Sequence, residues 1–171
     1  MTKILMVVAQ DGFRDEEFAV PKEMLEKHGY TIVVASINRT KATGSKGMVL
    51  QPDMAVFEAN PEYFKGIIIV GGPNSPMLAE KKEVRDLLNA ANSAGKVVGG
   101  ICLGVMALAT AGVLANKKAT VYPDRNAIVL LRQSGATYLA ENVVVDGNII
   151  TADGPMSAGK FGTALIDALK K

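Results

Sequence analysis

Val97-Val98-Gly99-Gly100-Ile101-Cys102-Leu103-Gly104-Val105-Met106 joins two different patterns. Val97, Val98 and Ile101 form a short apolar run, the mark of a buried strand. Beyond Cys102, apolar Val105, Met106, Leu108 and Ala109 recur at helical spacing. Cys102 therefore falls on a strand-to-helix turn, with Gly100 two residues before it and Gly104 two after. That is the layout of a nucleophile elbow carrying sulfur in place of a serine hydroxyl. A sharp turn whose neighbours approach closely needs glycines and pushes its central residue into a sparsely populated backbone conformation. A thiol at a helix N-terminus also feels unpaired N–H groups, so the sequence predicts a lowered pKa for Cys102. The alternative is an ordinary buried cysteine, since free cysteine is among the most buried residue types.

Working outward, the pattern repeats. Ile4 to Ala9 is apolar without alternation, as in a strand covered on both faces. Gln10 to Phe13 reads as a loop. Asp15, Glu16 and Glu17 then place acids at a helix start, followed by Phe18, Pro21, Met24, Leu25 and His28 at helical spacing, with Gly29 as the stop. Pro21 belongs in a first turn, so the helix either starts near Phe18 or kinks there. Thr31 to Ile37 is a second strand. Thr43 to Ala59 reads as a small hairpin or edge strands, and Pro61 to Phe64 as one helical turn. Ile67 to Val70 is a buried strand ending in the loop Gly71-Gly72-Pro73. Glu80 to Ala94 is a helix. After the elbow come a short strand at Ala119 to Val121 and a helix over Asn126 to Ser134. Asp146-Gly147 between two β-branched runs signals a hairpin, and a last helix spans Pro155 to Leu169. Strands alternating with helices predict one α/β domain over residues 1–171, a three-layer sandwich with a mostly parallel central sheet. Ligands bind such sheets beyond the carboxyl ends of the strands. Cys102, the Gly71-Gly72 loop and the segment leading to Glu17 all follow strand ends.

The 171 residues are 49% hydrophobic and 21% charged, with a net charge of +2 and no basic block, which argues against a nucleic-acid partner. The one cysteine excludes an internal disulfide and fits a reducing, cytoplasmic setting. The apolar run Ile4 to Ala9 is too short for a signal-peptide core or a membrane span. With one His and one Cys, no Cys/His metal site is expected, and no cofactor motif is present.

Around the thiol, the N–H groups of Gly71, Gly72 and Leu103 are candidate donors to an oxyanion, although paired glycines also make ordinary turns. Glu17, if it points inward, meets the thiol, and the two titrate as a coupled pair. A solvated helix start is the reading taken for Asp15 and Glu16. Tyr122 and Asp124 flank Pro123 in a loop that could close over the site, although a packing aromatic is the preferred reading of Tyr122. The single His28 lies at the far end of the first helix, which leaves Cys102 without an imidazole base.

These residues resemble a known family. Ile67 to Gly72, Gly99 to Gly104, Gly112-Val113-Leu114, Tyr122-Pro123 and Asp146-Gly147-Asn148 look like the ThiJ/PfpI superfamily along nearly the whole chain. The resemblance implies a flavodoxin-like sandwich of the class I glutamine amidotransferase type, a homodimer or higher homo-oligomer, and an oxidation-prone nucleophile at Cys102. It matches Glu17 to a buried glutamate that contacts the cysteine, and Gly72 and Leu103 to backbone donors. Three departures stand out. Peptidase-like members carry His after the cysteine, where this chain has Leu103. They draw an acid from a partner subunit after the Gly-Gly loop, where this chain has Pro76 and Met77. Deglycase-like members often have His where this chain has Tyr122. The expected function is a cysteine-dependent glyoxalase or deglycase-like hydrolase acting on small reactive carbonyls or glycated substrates. Two alternatives are a stress-responsive redox sensor that oxidises Cys102 to a sulfinate, and a peptidase whose base comes from elsewhere.

Overall fold

The computed structural model describes residues 1–171. Its strands and helices alternate as β1 (Lys3–Val7), β2 (Asp11–Phe13), α1 (Asp15–Lys27), β3 (Thr31–Ser36), β4 (Ala42–Gly44), β5 (Val49–Leu50), β6 (Met54–Ala55) and β7 (Gly66–Ile69). There follow α2 (Lys82–Ser93), β8 (Val97–Ile101), α3 (Val105–Ala111), β9 (Lys118–Ala119), α4 (Arg125–Gln133), β10 (Thr137–Tyr138), β11 (Val143–Asp146), β12 (Ile149–Ala152) and α5 (Ala158–Leu169). The central sheet has seven strands in the order β11-β12-β8-β7-β1-β3-β6. Only β11 runs antiparallel, paired to β12 through the Asp146/Ile149 hairpin. The five central parallel strands, taken in chain order, stand 2-1-3-4-5, the flavodoxin-like arrangement.

Unbroken apolar runs form these strands because both sheet faces are covered. In β1, Leu5 and Val7 face α2, α3 and α4, packing with Val84, Leu88, Leu108 and Leu131. Ile4 and Met6 face the other way, among Phe18 and Leu25 of α1 and Phe161 and Leu165 of α5. Each fully buried side chain of this kind contributes roughly 1.5–3 kcal/mol. The chain order changes direction between β1 and β7, and at such a switch point the loops leaving the two strands diverge and open a crevice. The loop after β1 leads to α1 and Glu17, and the loop after β7 is Gly71-Gly72-Pro73.

Three readings of local pattern need correction. Asp11 to Phe13 is not a loop but β2, which pairs with β4 from about thirty residues downstream in a small sheet completed by β5. Thr137–Tyr138 forms a strand beside β9 that no local pattern announced. Pro21 neither starts nor delays α1: the helix begins at Asp15, and the buried Pro21 ring sits inside it. Having no N–H, Pro21 leaves the Glu17 carbonyl without its i+4 donor.

Candidate active site

Cys102 follows the last residue of β8 with φ of 59°, a left-handed conformation that a residue with a Cβ adopts at a cost of about 1–2 kcal/mol. Its surroundings hold it there. A 3-10 turn over Cys102–Gly104 leads directly into α3. The Cys102 carbonyl accepts the Tyr122 N–H at 3.4 Å. Gly104 lets this turn lie on the end of β7: a Cβ there would stand 2.8 Å from the Ile69 carbonyl oxygen. The elbow expected from the sequence is therefore present.

Glu17, in the first turn of α1, is completely buried. Arg14 fixes where that turn begins, because its N–H donates to the Gly71 carbonyl at 2.8 Å and ties the helix start to the loop after β7. A Cβ on Gly71 would lie 2.5 Å from Glu17 Oε1 and 2.7 Å from Cys102 Cβ, so the carboxyl and the thiol share the space beside that glycine. Neither Glu17 carboxyl oxygen has an N–H or O–H partner. The polar group it faces is the Cys102 thiol, a weak donor.

The N–H groups of Leu103 and Gly72 point at the sulfur. Gly72 reaches that position with φ of 131°, and a Cβ there would fall 2.5 Å from the Arg14 nitrogen. The expected donors Gly72 and Leu103 thus converge on Cys102. Gly71 serves the site by leaving room for Glu17 and by its carbonyl bond to Arg14.

Burial is the largest influence on both ionisable groups. It pushes the Glu17 carboxyl up to about 7 and the Cys102 thiol up to about 12. A charge on Glu17 holds the thiol up further, while the Leu103 and Gly72 N–H groups pull it down. The lowered thiol pKa expected from the helix N-terminus is therefore reversed. Two backbone donors do not offset desolvation combined with a neighbouring carboxylate. The two groups titrate as a pair that holds one negative charge far more easily than two.

A cavity of 220 Å³ opens onto the sulfur, lined by Arg14, Gly72, Pro73, Cys102, Leu103, Tyr122 and Pro155. Tyr122, read from the sequence first as a packing aromatic, lines this cavity and is exposed. Asp124 does not line this cavity. Its carboxylate accepts the Ala127 N–H at 3.0 Å and caps α4. Asp124→Ala should therefore cost about 0.5–2 kcal/mol in urea unfolding and leave turnover at Cys102 unchanged. A parallel loss of activity would return Asp124 to the site. His28 stands about 16 Å along α1 from Glu17 at 1.5 Å per residue, its Nδ1 bonded to the Met24 carbonyl. Two larger hollows, of 340 and 400 Å³, lie against α2 and α4 and contain no nucleophile. Arg14, Pro73 and Pro155 were not foreseen as lining residues. The one signal for Arg14 was its place directly before three acids at a helix start.

The sequence profile of the DJ-1/PfpI family matches residues 2–168. The chain belongs to the DJ-1/PfpI family. An uncharacterized protein of Methanocaldococcus jannaschii is 39% identical over 170 residues, covering 99% of this chain and 83% of its own length. A deglycase of Pyrococcus horikoshii is 30% identical over 168 residues, covering 98% and 99%. A glutathione-independent glyoxalase of Caenorhabditis elegans is 27% identical over 166 residues, covering 97% and 88%. Among solved structures, a ThiJ/PfpI domain protein from Brachyspira murdochii superposes with a TM-score of 0.94 at 31% identity, covering 98% of this chain and 96% of that one. The α/β sandwich expected from the alternating strands, and the ThiJ/PfpI-type fold that the resemblance implied, are therefore the fold observed. No helix is long and apolar enough to cross a membrane.

Proposed function

We propose that this protein is a cysteine-dependent enzyme of the glyoxalase or deglycase kind, acting on small reactive carbonyl compounds and their thiol adducts through Cys102. One observation carries the reading: a strained elbow thiol shares a buried space with an unpartnered carboxyl, under two converging N–H donors. Relatives named deglycase and glyoxalase support the same chemistry.

With methylglyoxal as substrate, Glu17 takes the thiol proton and the sulfur lone pair forms a C–S bond to the aldehyde carbon. The carbonyl π pair moves onto oxygen, where the Gly72 and Leu103 N–H groups hold it. That oxygen then takes the proton from Glu17 to give a hemithioacetal. Glu17, ionised again, removes the proton from the former aldehyde carbon to give an enediolate and returns it to the adjacent carbon. It also carries the hydroxyl proton from the sulfur-bearing carbon to the former ketone oxygen, which leaves a C=O beside sulfur. The product is a lactoyl thioester of Cys102, and water cleaves its C–S bond to release lactate and restore the thiol. Glu17 moves every proton in the isomerisation, so no imidazole is required.

The test is lactate formation from methylglyoxal by the purified chain, with Cys102→Ala alongside. Turnover that vanishes in the variant supports the reading. Wild-type protein that forms no lactate above the uncatalysed rate, and releases no thiol from a methylglyoxal hemithioacetal, overturns it. The peptidase alternative has no comparable support, because the single imidazole, His28, sits at the far end of α1, bonded to the Met24 carbonyl.

A further inference from the structure

Arg14 is the only charged side chain among the residues lining the cavity above Cys102. The rest of the wall is glycine, proline, leucine and tyrosine. Its backbone is pinned against the two glycines of the donor loop: its N–H bonds to the Gly71 carbonyl, and Gly72 packs directly against its nitrogen. The guanidinium therefore starts from a fixed point beside the Gly72 donor. Its side chain is one-third exposed, and it spends only Nε on the protein, donating to Glu16 Oε2 at 2.6 Å. The two terminal amino groups make no hydrogen bond or ion pair within the chain. A planar guanidinium with two uncommitted terminal amino groups, on a residue that lines a small apolar-walled space, matches the two oxygens of a carboxylate. The 220 Å³ volume lies below the ~300–1,000 Å³ of sites for drug-sized ligands, which limits the occupant to a small compound.

We propose that Arg14 is the specificity-determining residue of this site, selecting reactive carbonyl compounds that bear a carboxylate by anchoring it while Cys102 attacks the carbonyl carbon. This rests on the reading of Cys102 as a nucleophile toward carbonyls and narrows its substrate class. A methylglyoxal hemithioacetal of mercaptoacetate is such a compound, whereas the hemithioacetal of 2-mercaptoethanol lacks the anion. Glu16 competes for the guanidinium from the outer side.

Because Cys102 is the only cysteine, alkylation reports on this site alone. Iodoacetate and iodoacetamide differ chiefly in the carboxylate, and both consume the same thiolate. The ratio of their rates is therefore independent of the thiol pKa, and it can be measured whether or not the protein turns over any substrate. The ratio should fall about tenfold in Arg14→Gln, the lower end of what a charge-assisted hydrogen bond supplies. Arg14→Lys should retain part of the preference, keeping the charge and losing the fork. Glu16→Gln should raise the ratio by freeing Nε. The Arg14 side chain caps no helix group, so its replacement leaves the start of α1 intact. In turnover, the ratio of kcat/KM for the mercaptoacetate adduct over the mercaptoethanol adduct should drop in Arg14→Gln by a similar factor. An alkylation ratio equal in wild type, Arg14→Gln and Arg14→Lys overturns the proposal. A ratio that shifts as expected in a protein without turnover upholds the anion site and rejects only the enzymatic reading.

Discussion

Glu17→Gln should remove a fall in folding stability that the wild-type protein shows between pH 4.5 and about pH 7. The buried Glu17 carboxyl is raised from 4.5 to about 7, chiefly by desolvation. Below pH 4.5 both the folded and unfolded chains hold this proton. Between the two values the folded chain keeps it and the unfolded chain has lost it, so stability falls as pH rises. Above about 7 both have lost it, and the loss is complete. A shift of this size corresponds to roughly 3 kcal/mol. Gln has no proton to exchange, so its stability should not follow that fall. Urea unfolding of both proteins on either side of the window checks this. The variant-minus-wild-type difference cancels the titrating groups remote from Glu17, including Glu58, which Arg39 holds down to about 2 and which acts at lower pH, while its coupled partner Cys102 titrates above the window. Parallel curves would mean that Glu17 is ionised in the fold at the same pH as in the unfolded chain. In the proposed mechanism the same substitution removes the group that takes the thiol proton, and kcat/KM for methylglyoxal should fall by about 10²–10⁴.

Gly71→Ala should disable the site by geometry. The added methyl would stand 2.5 Å from Glu17 Oε1, 2.5 Å from the Ile101 carbonyl oxygen and 2.7 Å from Cys102 Cβ. Glu17 is a side chain and can move, but doing so separates it from the thiol. Ile101 is the backbone end of β8, paired to β12 through Ala152, and cannot yield without shifting the elbow itself. Overpacking of this kind costs about 1–3 kcal/mol. Displacing the reacting groups by about 1 Å costs roughly 10² in rate. Urea unfolding and methylglyoxal turnover measured together decide the matter. Wild-type stability together with wild-type turnover would show that the loop relaxes freely and that the close approach at Gly71 is not required.

The contrast between Glu17 and Arg14 shows what kind of information a sequence of this type carries. Glu17 could be picked out because it follows a strand end and stands at a helix start, where an inward turn brings it to the crevice. Its neighbours Asp15 and Glu16 have the same local pattern, yet Asp15 accepts backbone N–H groups from Lys46 and Met48, and Glu16 pairs with Arg14. Only helix phase and packing separate the three. Arg14 sits just before the same acids, but its place in the cavity depends on a hydrogen bond to Gly71, more than fifty residues away. Asp124 looked like a loop acid beside the site and proved to be a helix cap, a role set by the first turn of α4.

By itself the sequence determined the periodic runs, the turn glycines and the elbow, because strand period, helix period and turn conformation are local properties of the chain. From these followed the alternating α/β order, the position of Cys102 beyond a strand end, and the Asp146-Gly147 hairpin. Tertiary structure alone decided the pairing of β2 with β4 and of β9 with β10, because lone backbone groups find partners only after distant segments meet. It also decided the ionisation of the site. The local field of a helix start favours a thiolate, but desolvation by elements far apart in the chain, joined by the charge of Glu17, outweighs it and binds thiol and carboxyl into one titrating pair.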